Sequence, residues 1–483
     1  SQPKVFGAVV VKAGAKDCPN TGIAHYFEHI MFKGTDKIGT TDYAAEKPWL
    51  DSISAQYDLL SQTKDEAERT KIQSHINELS LKAADYMIPN EFNRLISKYG
   101  GSGLNAGTSY DLTFYYNSFM PQFIEQWCWL NSERLMNPVF RGFQGELENV
   151  YEEKNRASDE MTGNLMDDAF KAVFKTQPYA YPILGSTENL KNPRLSDMAD
   201  FYKKYYVASN MCLILCGDIT PDSTLTPLLE QTFGRVQTGP VPERGYSPMP
   251  DIQAGEKYEI KLPIPLIGAE ALIYKAPTEY EADADAFELV NKLLYNGKAG
   301  LLDSLVNEHQ VQISAAANMA LDDAAGSLVI VIPKLFGKMK TAEERVKEQL
   351  QKVMNGDFSE AQLEILKQEM VLEAQQELET IDKRALMLVM IVSKGKTWQD
   401  VLNRIEAIKH ITKADVMAAA KKYYGANYIT LSKKYGTPDK ETIKQPGYQP
   451  IAPKNADAKS AFAQQLEQMP VKEAEVRTVD FAQ

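Results

Sequence analysis

The sequence predicts an α+β chain made of two similar domains. Short runs of β-branched and aromatic residues alternate with longer stretches of helical periodicity. The segment from Asp197 to Lys203-Lys204-Tyr205-Tyr206 has a counterpart from Asp415 to Lys421-Lys422-Tyr423-Tyr424, at an offset of 218 residues. An Asn and an apolar strand follow each copy, as a duplication requires. Between the copies, Gly239-Pro240, Pro242 and Pro248-Met249-Pro250 give residues 236–250 the composition of a linker. The expected layout is a first domain over 1–235 with an insertion at 38–90, a second over 251–436, and a linker-like tail over 437–483.

The elements follow in order. Val5 to Lys12 reads as a buried strand. In the insertion, Trp49, Leu50, Ile53, Tyr57 and Leu60 fall at helical spacing, and so do Ile72, Ile76 and Leu79, with Ala83 and Met87 on a neighbouring row. The polar turn Thr63-Lys64-Asp65-Glu66 between them makes a helical hairpin, expected near the rim of the active site. A helix starting at Pro89-Asn90 stops at Tyr99-Gly100-Gly101. A glycine-bounded stretch over 103–109 and a strand from Leu112 to Asn117 follow. Residues 122–137 read as a helix, and Gly145 to Asn155 as a strongly acidic one. Met211 to Asp218 closes the first copy as a strand. In the second, 264–274 and 328–332 read as strands, and 282–295, 341–355 and 359–379 as helices. The proline-bearing tail is expected to be extended, with one helix near 455–467.

Composition removes several function classes. A chain of 483 residues with 44% hydrophobic side chains has ample length for two cores. Its net charge of −12 lacks the basic face of a nucleic-acid binder and suits basic peptides. No apolar run approaches the ~18–20 residues of a membrane span. Four cysteines are too few for a disulfide scaffold, and Cys212 and Cys216 lie on one side of a strand, ~13 Å apart. The sequence names no compartment; a bacterial periplasm or cell envelope is compatible with it.

The chemistry concentrates in His25-x-x-Glu28-His29. On a helix the two imidazoles stand one turn apart on one face, where they can bind a single Zn²⁺ at ~2.0–2.1 Å. Glu28 projects beside that face, placed to accept a proton from a water. Asn20 or Thr21 is expected to cap this helix, and Lys33-Gly34 to end it. Only five histidines occur in the chain, so two at this spacing beside a glutamate point to a site and not to core packing. Cys18 is an alternative ligand by proximity in sequence. His309 and His410, in the second copy, stand alone.

With its flank Phe32-Lys33-Gly34-Thr35, the motif resembles the inverzincin peptidases of the pitrilysin/insulysin and mitochondrial processing peptidase family, peptidase family M16. A phrase of the type H-F-x-E-H-x-x-F-K-G-T is the zinc helix there, and Tyr26 is a conservative departure. The resemblance continues in register over residues 5–218. It covers Asn105-Ala106-Gly107-Thr108, the Glu146/Glu153 pair, Pro178-Tyr179, Phe201-Tyr202 with Tyr205-Tyr206, and Gly217-Asp218. It implies domains that are mostly antiparallel sheets packed by helices, and a zinc-dependent endopeptidase. It implies one Zn²⁺ per chain on His25, His29 and Glu153, with Glu28 as general base and Glu146 orienting a ligand or the water. Glu152 competes for the ligand role, but a spacing of seven keeps Glu153 on the face of Glu146. Asn105, Ala106, Gly107 and Thr108 are implied to hold an extended peptide by strand addition. The position of Gly107 is often aromatic in the family, so a pocket wall is expected to be missing. The family also implies an upstream strand, and a homologous second half or partner subunit that closes a chamber around the peptide. A non-catalytic structural subunit and a metal-binding sensor are the alternative readings.

Overall fold

A computed structural model describes residues 3–219, 223–438, 442–452 and 454–471, without the side chains of 161–164. The end of the tail, 472–483, lies outside the described residues.

The first sheet contains β1 (Val5–Val11), β2 (Ser102–Thr108), β3 (Thr113–Phe119) and β4 (Met211–Gly217), in the order β2-β3-β1-β4 and antiparallel throughout. The second contains β5 (Lys257–Leu262), β6 (Glu270–Lys275), β7 (Ile313–Ala320), β8 (Ala325–Ile332) and β9 (Ile429–Tyr435), in the order β5-β9-β6-β8-β7. Only the β5–β9 pairing is parallel. The single strand expected over 264–274 is instead a loop up to residue 269 and then a strand, β6. Pro263 and Pro265 supply no ladder N–H, so pairing breaks off before resuming at Glu270.

The helices of the first half are α1 (Ile23–Ile30), α2 (Tyr43–Gln62), α3 (Glu66–Ala83), α4 (Glu91–Lys98), α5 (Ile124–Glu133), α6 (Phe143–Asp159), α7 (Met161–Phe174), α8 (Thr187–Lys191), α9 (Leu195–Tyr205) and α10 (Leu225–Thr232). Those that follow are α11 (Ala284–Leu294), α12 (Leu301–Asn307), α13 (Met339–Asn355), α14 (Glu360–Gln376), α15 (Ile381–Ser393), α16 (Trp398–His410), α17 (Lys413–Tyr423) and α18 (Ala461–Gln468). Helices α9 and α17, and strands β4 and β9, begin 218 residues apart, the offset of the duplicated sequence.

Strand alternation sorts the first sheet into two faces. Val9, Val11 and Tyr115 meet the core formed with α1, α6 and α9. Phe6, Ala8 and Val10 face the other way, where Ala385 and Val389 of α15 cover them. The favour is returned: Ala169, Ala172, Val173 and Phe174 of α7 cover Ile260, Ile273, Leu328 and Leu431 of the second sheet. Each half therefore lends a helix to the other. Polar contacts join the halves at two hairpin tips. Lys16 reaches Asp111, next to the β2–β3 turn, at 3.0 Å and Asp323, in the β7–β8 turn, at 2.7 Å, with only 4% of its side chain exposed.

The insertion is the expected hairpin. Asp42 and Asp65 cap α2 and α3 by accepting from Ala45 N and Glu68 N. Its apolar stripe of Ile53, Tyr57, Ile72, Ile76 and Leu79 joins the core of α6, with the Tyr57 and Phe143 rings 5.0 Å apart. It buttresses the apolar flank of α6, the helix that carries Glu146 and Glu153.

The described part of the tail is extended, but it is anchored. It descends α6 from end to start: Ile443 exchanges two hydrogen bonds with the Asn155 amide, Gln445 reaches Glu152, and the Gln449 carbonyl accepts from Gln144. It ends in α18, whose Phe462, Ala463 and Leu466 pack against Phe92, Leu95 and Ile96 of α4. This helix starts later than expected because Ser460 caps it.

Candidate metal centre

Helix α1 is placed by its apolar side. Ala24, Tyr26, Phe27 and Ile30 are buried, and Phe27 lies 4.9 Å from the Tyr206 ring. Gly22, at the N-cap, has φ 72°, and a β-carbon there would sit 2.5 Å from the Leu184 carbonyl oxygen. Only glycine fits this turn. Neither expected cap, Asn20 nor Thr21, holds the N-cap, which the left-handed turn reserves for Gly22; Thr21 Oγ1 accepts from Ile23 N at 3.2 Å from one residue earlier. Beyond the helix, buried Arg141 gathers the turn 33–38, donating to the carbonyls of Lys33, Thr35 and Ile38 while Glu46 pairs with it at 2.6 Å.

With the apolar side packed, His25 and His29 share the opposite face, ring centroids 4.7 Å apart. Glu153 Oε2, from α6, lies 3.3 Å from His25 Nε2 and 3.7 Å from His29 Nε2. Among the described residues, His25, His29 and Glu153 form the group whose donor atoms lie within 4.8 Å of one another in a metal-binding arrangement. Donors placed tetrahedrally at ~2.0–2.2 Å from Zn²⁺ stand roughly 3.3–3.6 Å apart, so two imidazoles and this carboxylate fit that ion.

Electrostatics agree with the geometry. Burial lowers the His25 pKa to about 4, aided by His29, and leaves the imidazole neutral with a lone pair to give. For His29, burial opposes the charge, but the Glu146 hydrogen bond and the nearby carboxylates outweigh it and raise the pKa. Glu146 Oε2 lies 3.0 Å from His29 Nδ1. A carboxylate accepts, so Nδ1 carries the proton and Nε2 keeps its lone pair toward Glu153. The other oxygen of Glu146 accepts from Asn149 at 3.2 Å and pairs with Lys33. Burial raises the Glu146 pKa, yet the bonds from His29 and Lys33 prevail and lower it.

Glu28 is raised by burial and partly restored by a hydrogen bond, in which Thr108 Oγ1 donates to its Oε2 at 2.6 Å. Thr108 ends β2, the edge strand, whose outer side has no ladder partner among the described residues. Asn105 bonds Tyr116 at 3.3 Å and, through Oδ1, the Ala106 N–H. The missing wall expected at Gly107 is a different matter. Alternation points Thr108 and Ala106 toward α1 and Gly107 the other way, where a β-carbon would lie 2.9 Å from the Phe114 ring. Cross-strand Phe114 fills that space.

Cys18 stands outside the group; it is buried, its thiol pushed up to about 11 by burial, with Sγ directed to the Gly14 carbonyl at 3.7 Å. Glu152 is exposed and accepts from Gln445 at 3.0 Å. Sequence reasoning missed the Lys33 and Asn149 bonds to Glu146. Lys33 was findable, since it lies one turn beyond His29. The Thr108–Glu28 bond joins residues far apart in the chain and left no local signal.

Residues 194–370 match the family model described as the peptidase M16 inactive domain. The zinc protease PqqE of Helicobacter pylori is 24% identical over 306 residues, 62% of this chain and 68% of that protein. A protease crystal structure from Helicobacter pylori superposes with a TM-score of 0.72 at 20% identity, over 90% of this chain and 95% of that one. The chain is thus similar to M16 peptidases in its matched domain and in its fold. The M16 fold of two similar domains accounts for the two sheets and the repeat. The periplasmic protease PqqL of Escherichia coli aligns with a TM-score of 0.66 at 15% identity, over 99% of this chain but 49% of its own. Two other curated relatives are matched over 50% and 51% of their length by 42% and 57% of this chain. The stretch matched to the inactive domain contains none of His25, Glu28, His29, Glu146 and Glu153.

Proposed function

We propose that this chain is the metal-bearing part of a zinc-dependent endopeptidase, with one Zn²⁺ held by His25, His29 and Glu153. The carrying observation is the meeting of those three donors, from helices far apart in sequence, beside Glu28 and an open strand edge. A zinc ion there would supply Lewis acidity and lower the pKa of a water. Glu28 takes that water's proton and returns it to the leaving amine. Thr108 aims the carboxylate, and Glu146 holds His29 in the tautomer that leaves Nε2 free. Asn105, Ala106, Gly107 and Thr108 hold an extended peptide along β2 by main-chain pairing, which tolerates many sequences.

On this reading residues 1–235 form the metal-bearing domain, 251–436 its non-catalytic copy, and 437–483 a connecting segment. A relative about twice as long, the periplasmic protease PqqL, supports a homologous second half or partner subunit that closes the chamber. The periplasmic relative supports a cell-envelope location; among the described residues no helix is long and apolar enough to cross a membrane. The match to an inactive domain favours a second reading, a structural subunit. Cleavage of a peptide library, with zinc content measured alongside, separates the two. Zinc-dependent cleavage that rises when the partner half is added supports the peptidase. A chain that never cleaves in the presence of its partner is the structural subunit.

A further inference from the structure

We propose that the outer end of the second sheet docks onto an anionic lipid bilayer. Two loops form this end, 263–269 between β5 and β6 and 333–338 between β8 and α13. They are neighbours because Glu270 pairs with Val331 across β6 and β8, and because a β-carbon on Gly268 would lie 3.0 Å from the Met339 methyl. Their tips carry large apolar side chains into solvent: Phe336 is 84% exposed, Leu266 78% and Leu335 59%. Tyr435, at the same end of β9, is 68% exposed.

These side chains are held outward by the backbone. Leu266 and Phe336 have φ of 63° and 65°, a left-handed conformation that bulky residues avoid. Lys433 Nζ donates to the carbonyls of Ile264 and Ile267 and pins the first loop. The Gly337 N–H bonds the Lys334 carbonyl at 2.7 Å and tightens the second.

Charge identifies the occupant. Residues 333–342 read Pro-Lys-Leu-Phe-Gly-Lys-Met-Lys-Thr-Ala, three lysines and no acid, within a chain of 65 acidic and 53 basic residues. Lys334, Lys338 and Lys340 are exposed and pair with no acid among the described residues. Lysine is depleted from protein–protein interfaces. Lysines ringing exposed apolar tips instead suit a layer of acidic headgroups, into which the tips dip while the ammonium groups stay at the surface.

The inference does not depend on peptidase activity. Sedimentation of the full chain with vesicles tests it, comparing phosphatidylcholine alone with phosphatidylcholine plus phosphatidylserine. Binding is expected only with phosphatidylserine and should weaken as salt rises. Leu335→Ser with Phe336→Ser, and separately Lys334→Glu with Lys338→Glu, should each reduce it roughly tenfold or more. An unchanged thermal midpoint would show that these exposed replacements leave the fold intact. No binding by the wild type, equal binding to both vesicles, or undiminished binding by folded variants would each overturn the proposal. So would self-association abolished by the Phe336 variant without any lipid binding, which would make the patch a protein interface.

Discussion

In the first half, Phe27 of α1 packs 4.9 Å from the ring of Tyr206, next to the end of α9; in the second, Phe287 of α11 lies 5.4 Å from Tyr424, next to the end of α17. Two residues to either side of these phenylalanines stand His25 and His29 in one half, Asp285 and Leu289 in the other. Leu289 is fully buried, while Asp285 and Glu288 close on Arg404 at 2.6 and 2.7 Å. The facing helix differs in the same sense: α6 presents Glu146 and Glu153, whereas α14 buries Leu363, Leu366 and Met370. One frame thus gathers lone-pair donors in the first half, and turns the same places over to core and a partly exposed ion pair in the second. Among the described residues the second copy keeps the frame without such a donor group, so the first copy is expected to keep its fold when zinc is removed.

The largest test of this asymmetry is Glu28→Gln. It should lower peptidase activity by roughly 10²–10⁴-fold while about one zinc per chain remains, because a base is lost and no ligand. Loss of zinc from a folded variant would end that division of roles. Next come the carboxylates of α6. Glu146→Gln, acting through His29, should weaken zinc binding by roughly 10–100-fold, and Glu153→Gln by more, with Glu152→Gln nearly silent. Chelator competition reads all three, and a dominant effect at Glu152 would reverse the assignment.

A smaller effect sharpens the comparison where the halves are alike. Each sheet is covered by a helix from the other half, so Val173→Ala on α7 and Val389→Ala on α15 should cost about 1.5 kcal/mol each in denaturant unfolding. A cost at one site only would break the symmetry of the exchange. The smallest effect is at the hairpin tips. Asp322 is pushed up to about 6 by burial and by Asp111, against the pull of Lys16, Lys394 and Arg244. Its folded-state pKa therefore exceeds that of an unfolded aspartate, near ~4, so stability falls as pH rises through this window. Asp322→Asn should then gain about 1 kcal/mol at pH 7, allowing for partial exposure, and nothing below about pH 4. Melting curves across pH check both the gain and its disappearance.

The legible parts were those with local signals. The four-residue spacing of His25 and His29, the prolines of the inter-copy segment and the repeat around Tyr205-Tyr206 all act over a few residues, and the fold uses them as read. Periodicity also marked the insertion as a hairpin, but an apolar stripe does not say what it will meet, so its seat on α6 was not legible. The same limit hid the exchange of α7 and α15. At Gly107, the family pattern suggested a lost pocket wall. Strand alternation and Phe114, which pairs across from it, turn that position away from the zinc helix. Thr108 and Glu28 meet only because β2 crosses α1, a tertiary fact with no trace in either neighbourhood.

The central claim is that only the first copy holds a metal, through His25, His29 and Glu153. An anomalous difference map at the zinc edge, from crystals of the full chain, tests it directly. The account predicts one peak, within bonding distance of His25 Nε2, His29 Nε2 and a Glu153 oxygen, and none in the second half. A peak ligated by Glu152 or Cys18, a peak beside α11, or no peak from zinc-replete crystals would contradict it.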